Sequence, residues 1–107
     1  MSKVSTHAAL LLGVLPLALS FVQPARADAA CTDDELTRLI QPTVDTINSH
    51  ENNGVCGSAN DGVLLFSTSL GLLERCDKDT PALRKMRASF REHLNEARQE
   101  QASACSQ

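Results

Sequence analysis

The stretch Cys76–Cys105, CDKDTPALRKMRASFREHLNEARQEQASAC, decides the fold. Thr80 suits a helix N-cap and Pro81 suits the first helical position. One stripe recurs at helical spacing through Leu83, Met86, Phe90, Leu94 and Ala97. The pattern predicts a helix from Pro81 to Ala104, about 36 Å long at about 1.5 Å per residue. A disulfide needs Cα atoms about 4.4–6.8 Å apart. Cys76 and Cys105 therefore cannot bond to each other.

An earlier segment shows the signature of a helix start. Thr32-Asp33-Asp34-Glu35 forms a capping box, in which the Thr32 hydroxyl accepts from the Glu35 amide and the Glu35 side chain reaches back. Apolar residues then follow at helical spacing: Leu36, Leu39, Ile40, Val44 and Ile47. The pattern predicts an amphipathic helix from Thr32 to about Asn48. Pro42 falls on its polar side, where a kink or a break is tolerable.

The middle of the chain is less clearly patterned. His50–Gly62, HENNGVCGSANDG, contains three glycines and three asparagines and is predicted to be a loop. Val63–Arg75 has a helical apolar face, although its start also suits a strand and Gly71 weakens a helix by about 1 kcal/mol. We favour the helix, because a lone strand would have no partner elsewhere in the chain.

Three helices over residues 28–107 predict an all-α, up-down-up bundle. Cys31 and Cys76 then lie at one end of it, and Cys56 and Cys105 lie at the other. We expect the pairs Cys31–Cys76 and Cys56–Cys105, each closing a loop that stabilises the fold by about 4 kcal/mol. A strand or a turn at Gly71 would change which ends meet.

The first residues resemble a cleaved signal peptide. Ala8–Val22 is nearly all apolar but short for a membrane span, and small residues follow near Ala27. We expect residues 1–27 to be the signal peptide and residues 28–107 one disulfide-stapled helical domain. Four cysteines in an exported chain indicate an oxidising compartment, extracellular or alternatively the bacterial periplasm. Cys31 resembles a lipoprotein cysteine, but Asp28 stands where that signal requires an apolar residue.

The charge balance excludes one class of partner. Without Lys3 and Arg26, the chain keeps eight basic and thirteen acidic residues, a net charge of −5. An acidic chain is a poor ligand for nucleic acid. Membrane association is not expected once the signal is cleaved.

No catalytic, metal or cofactor motif stands out. His50 beside Glu51 could form an acid–base pair, although a solvated loop explains both residues more simply. Two surfaces remain as candidate sites. The first is an apolar binding surface formed by Val63, Leu64, Leu65 and Phe66, for which packing between the helices is the alternative. The second is a stripe for an anionic partner formed by Arg84, Arg87, Arg91 and Arg98, for which pairing with acids of the first helix is the alternative.

Part of the chain resembles the elicitins, small secreted helical proteins of oomycetes. The resemblance lies in Ala30-Cys31-Thr32, in Cys56, in GVLLFSTSLGLLERC ending at Cys76, and in Ala104-Cys105-Ser106. It implies a secreted protein that carries a sterol or a fatty acid in an apolar cavity and provokes plant defence. This chain has fewer cysteines than elicitins and no tyrosine.

These observations leave two main hypotheses for the function. We expect a secreted, non-enzymatic effector that binds an extracellular protein of a host or partner cell and elicits defence. The alternatives are a carrier of a small lipid and an exported bacterial adaptor or inhibitor. An accessible apolar cavity would favour the carrier, and a solid core with one exposed apolar patch would favour the protein-binding effector.

Overall fold

The computed structural model describes residues 28–106, so the predicted signal peptide lies outside the described residues. Three helices occupy this range: α1 Asp33–Asn48, α2 Gly54–Glu74 and α3 Pro81–Ala104. Residues 28–106 contain no strand, and the predicted all-α three-helix architecture is confirmed for them. None of these helices has the length and apolar character of a membrane span.

The start of α1 is built as the capping box predicts. The Thr32 hydroxyl accepts from the Glu35 amide at 3.2 Å. The Glu35 carboxylate reaches back one residue further than expected and accepts from the Cys31 amide at 2.7 Å. The helix continues through Pro42, whose exposed position confirms its assignment to the polar side. The cap thus fixes the direction in which α1 leaves Cys31.

The second helix begins earlier than the sequence predicts. The predicted loop His50–Gly62 is wrong beyond Asn53, because α2 already starts at Gly54. Only a short turn separates α1 from α2; Asn52 in the turn has a φ of 52°, and Gly54 at the first position of α2 has a φ of 70°. Asparagine and glycine are the residues that tolerate this left-handed conformation best. The predicted helix from Val63 to Arg75 is confirmed as the later part of α2, with Arg75 as its C-cap.

The third helix matches its prediction at both ends. The Thr80 hydroxyl accepts from the Leu83 amide at 3.1 Å, and Pro81 occupies the first turn. Its apolar stripe is turned inward: Leu83, Leu94 and Ala97 are buried, and Met86 and Phe90 pack against the core. α3 lies along α2 closely enough for a Cβ at Gly62 to meet the Ala97 Cβ at 3.7 Å.

Two disulfides clamp opposite ends of the bundle, as predicted. Cys31 is bonded to Cys76 and Cys56 is bonded to Cys105, with Cα–Cα distances of 5.3 and 4.7 Å. The main core cluster lies at the Cys76 end, where Leu73 and Ala30 are fully buried. The Ala30 amide donates to the Leu72 carbonyl at 2.9 Å, which holds the segment before α1 against α2.

Candidate binding groove

The helices are arranged asymmetrically, and this arrangement leaves a groove. α1 and α3 each pack on α2, but within residues 28–106 no Cα of α1 comes within 8 Å of a Cα of α3. The space between them is a groove of ≈ 380 Å³ floored by α2. Its apolar lining comes from all three helices: Leu36, Ile40, Val44, Leu65, Phe66 and Phe90. We call this space the apolar groove.

The groove follows from the spacing of residues on each helix. Leu36, Ile40 and Val44 recur every four residues and so form one wall along α1. Their exposed neighbours Asp33, Thr37 and Gln41 also recur every four residues, and they form the edge of the groove on the α1 side. This polar edge leaves the groove open to solvent along its length.

Phe66 and Phe90 line the groove opposite α1, and His93 extends this aromatic cluster beyond the groove lining. The Phe66 ring lies 6.1 Å from the Phe90 ring and stacks on the His93 ring at 5.2 Å, measured between centroids. Such aromatic contacts stabilise a fixed geometry beyond the area that they bury. Because Phe66 belongs to α2 and the other two rings to α3, the cluster holds these two helices together beside the groove.

The structure divides the predicted apolar surface. Leu65 and Phe66 line the groove, whereas Val63 is half-buried outside it and Leu64 is 39% exposed. Consecutive residues of a helix point in directions about 100° apart, so four neighbours cannot form one surface. Their role in binding stays a prediction, with Leu65 and Phe66 as its members in the groove.

Three of the four arginines in the predicted stripe contact groups within the protein, and binding of an anionic partner by the stripe stays a prediction. Arg84 pairs with Asp79 at 3.1 Å, and Arg91 pairs with Glu74 at 3.4 Å. Arg87 donates to the Leu73 and Cys76 carbonyls over 2.9 to 3.0 Å. Arg98 is exposed on the same flank.

These pairs also correct the alternative reading of the stripe. The partners of Arg84, Arg87 and Arg91 lie in α2 and in the segment between α2 and α3. Pairing with acids of the first helix was therefore the wrong expectation for these three side chains. The reason is the open packing, which keeps α1 away from α3.

His50, which the sequence places beside Glu51, belongs to a polar corner at the start of α2. His50 Nδ1 lies 2.9 Å from Asp61 Oδ1, and Asn53 Nδ2 donates to Asp61 Oδ2 at 2.9 Å. Asp61 was missed from the sequence because it was assigned to a loop, whereas the helix places it two turns after Asn53. The three side chains tie the turn between α1 and α2 to the helix that follows.

Two other features of the described residues are poorer candidates for a site. A larger depression of ≈ 620 Å³ lies between Asn52 and Ala104, but its lining is mostly polar or small, and its Val55 is 68% exposed. The one cluster of metal-binding side chain types in the described range is Cys31, Cys76 and Asp77. Its two sulfur atoms are bonded to each other, so they have no thiolate to offer a metal.

Comparisons with known proteins add nothing to this geometry. Searches of protein-family models, of curated proteins and of solved structures found no match for the chain. The site is therefore defined by its own structure: a solvent-open apolar groove on a small helical scaffold that two disulfides close.

Proposed function

We propose that this chain is an exported, non-enzymatic binding protein that engages an extracellular protein of a host or partner cell through the apolar groove. The groove is the observation that carries the proposal, because a partner can reach four half-buried apolar side chains in it, with Leu36 and Ile40 buried beneath them: Val44, Leu65, Phe66 and Phe90. Grooves of this kind commonly receive an apolar helix face from another protein. The two disulfides support the exported location, since such bonds persist in oxidising compartments.

The rigidity of the scaffold supports binding as the function. Each wall of the groove is fixed by contacts within the protein: the Thr32 cap and the Cys31–Cys76 bond hold α1, and the aromatic cluster holds α3. A pre-formed surface loses less conformational entropy when a partner binds.

A small lipid is the second candidate, because the groove lining is aliphatic and aromatic. The volume of ≈ 380 Å³ falls at the low end for ligand pockets, which span about 300–1,000 Å³ and bury about 70–90% of a small ligand. The exposed edge of Asp33, Thr37 and Gln41 leaves one side of any occupant in water. A partner protein covers that side with its own surface, whereas a bound lipid leaves it wet.

A groove-filling variant tests the proposal. Gln41→Trp places a bulky side chain at the edge of the groove, and Thr46→Trp places the same side chain at an exposed position of α1 outside it. The oxidised protein and both variants are used to capture and identify partners from extracellular fluid. We expect one partner, retained by Thr46→Trp and lost by Gln41→Trp.

Two results would contradict the proposal. Equal capture by both variants would show that the partner binds elsewhere on the molecule. Uptake of a fluorescent fatty acid or sterol that Gln41→Trp abolishes, without capture of a protein, would make the chain a lipid carrier instead.

A further inference from the structure

We propose that the occupant of the apolar groove is a cationic amphipathic helix, with an apolar stripe flanked by lysine or arginine. This inference rests on the proposed function, because it names the chemistry of the partner for the same site. Three features carry it: the shape of the groove, the charges along its α1 edge and the charges on the facing flank of α3.

The shape suits a helix better than a single side chain. The α1 wall runs from Asp33 to Val44, a length of about 16 Å at about 1.5 Å per residue. α1 and α3 stand apart on either side of α2, so a fourth helix lying over α2 would contact both. The result would be a four-helix bundle, an arrangement in which each helix buries its apolar face against its neighbours.

The α1 edge of the groove is acidic. α1 contains four acids and one base over Asp33–Asn48. At 100° per residue, Asp33, Asp34 and Asp45 fall on the side that carries the exposed groove residues Thr37 and Gln41. Arg38 lies only about 20° beyond Asp45 on the helix, so this side of α1 carries three acids and one base.

The α3 flank nearest to the groove is also acidic. His93 stacks on Phe66 and so marks the flank of α3 that borders the aromatic wall. The helical spacing places Glu92, Glu96 and Glu100 on that flank, together with a single base, Lys85. The arginines occupy the opposite flank, where Arg91 pairs with Glu74 of α2.

Carboxylates therefore border the apolar lining on both sides. Charges at the rim of an interface determine which partner approaches and suppress partners of like charge. A lysine-flanked apolar helix matches both the apolar lining and its acidic borders. A fatty acid or an acidic peptide would instead bring a carboxylate towards Asp33.

The chain offers a matched pair of positions for the test. Thr37 and Thr46 are both exposed residues of α1, and each hydroxyl donates to the carbonyl four residues earlier at 3.0 Å. Thr37 lines the groove and Thr46 does not. Thr37→Arg and Thr46→Arg thus add the same charge to the same helix with the same loss of one hydrogen bond.

The probe is a synthetic peptide of about four turns, with leucine at positions spaced three and four apart and lysine on both flanks. A second peptide has glutamate in place of each lysine. Binding to the oxidised protein is measured by fluorescence anisotropy at low and high salt. Urea unfolding of both arginine variants establishes that they fold alike.

We expect the lysine peptide to bind more tightly than the glutamate peptide, with a preference that falls as salt screens the charges. We expect Thr37→Arg to weaken binding about tenfold, equivalent to about 1.4 kcal/mol, and Thr46→Arg to weaken it less than about twofold. Gln41→Trp should abolish binding of the lysine peptide.

Other outcomes overturn the inference in distinguishable ways. Equal affinity for both peptides, or equal effects of the two arginine variants, would refute a cationic occupant and leave the groove as a binding site of other chemistry. A dimer that Gln41→Trp converts to a monomer would identify a second copy of the chain as the occupant. The proposed function fails separately, if the captured extracellular partner is indifferent to Gln41→Trp.

Discussion

Arg87 is expected to stabilise the fold far more than its neighbours in the same stripe. Its guanidinium donates twice to the Leu73 carbonyl, at 3.0 and 2.9 Å, and once to the Cys76 carbonyl at 2.9 Å. Both acceptors belong to buried residues, Leu73 in the last turn of α2 and Cys76 just after the helix. Arg87 thus ties the last turn of α2 and the start of the next segment to α3.

The magnitude follows from what Arg87→Met would remove. Methionine keeps much of the apolar stem but donates no hydrogen bond. A hydrogen bond to a charged group contributes about 1.5–3 kcal/mol. The Leu73 carbonyl keeps one partner, since the Cys76 amide also donates to it at 3.3 Å. We therefore expect Arg87→Met to lower the free energy of unfolding by about 2–3 kcal/mol, less than the sum over all three hydrogen bonds.

The controls are Arg84→Gln and Arg91→Gln, which remove charges from the same flank. Their ion pairs are solvent-exposed, with Arg84 and Arg91 side chains 57% and 55% exposed. Exposed pairs contribute about 0–1 kcal/mol, so each control should cost less than about 1 kcal/mol.

Urea unfolding of the oxidised protein, followed by far-UV circular dichroism, measures all three free energies. An Arg87→Met variant that costs no more than Arg91→Gln would refute this reasoning. That result would mean that water hydrogen-bonds to both carbonyls in place of the guanidinium with no loss of stability.

Two further predictions concern the glycines and the disulfides. Gly71→Ala should raise the free energy of unfolding by about 0.5–1 kcal/mol, because its new Cβ meets nothing closer than 3.7 Å. Gly57→Ala should lower the free energy of unfolding, because its Cβ would lie 2.5 Å from the Asn53 Cβ. Thermal melts compare the two variants. A loss of stability in Gly71→Ala would contradict the prediction for that variant. Under limited reductant, the disulfide ending at exposed Cys105 should open before the one ending at Cys76, which is 5% exposed. Mass mapping of alkylated cysteines shows which disulfide opens first. The reverse order would show that solvent exposure of the cysteines does not control their reduction.

The third helix and the disulfide pairing could be predicted because local signals and geometry agree there. Thr80 and Pro81 mark the start of α3, and its apolar stripe runs without interruption to Ala97. Once that helix is straight, its length alone forbids a bond between Cys76 and Cys105. Such consistency between local preference and global fold is what makes a segment predictable.

The early part of α2 could not be predicted, because tertiary contacts override its composition. Glycine and asparagine between Gly54 and Gly62 disfavour a helix locally. In the structure, Ala59 is buried and Gln101 Nε2 donates to Asn60 Oδ1 at 2.8 Å. These contacts with α3, together with the nearby disulfide at Cys56, stabilise a helix that the local sequence alone would not form.

The groove was only half predictable for a related reason. The aliphatic residues of Val63–Phe66 indicated an apolar surface, and Leu65 and Phe66 do line the groove. The other wall depends on α1 standing apart from α3, which no local pattern encodes. The stripe from Leu36 to Val44 reads equally well as the buried face of a closed bundle.

The positions of the two disulfides affect how the protein responds to proteolysis. The ring closed by Cys31 and Cys76 contains the turn between α1 and α2, and the ring closed by Cys56 and Cys105 contains the segment between α2 and α3. A cut in either connection leaves the pieces covalently joined, and even cuts in both leave one molecule, because α2 is bonded to each neighbour. Nicking therefore changes the number of chain ends without releasing a helix, and both walls of the groove stay attached to its floor.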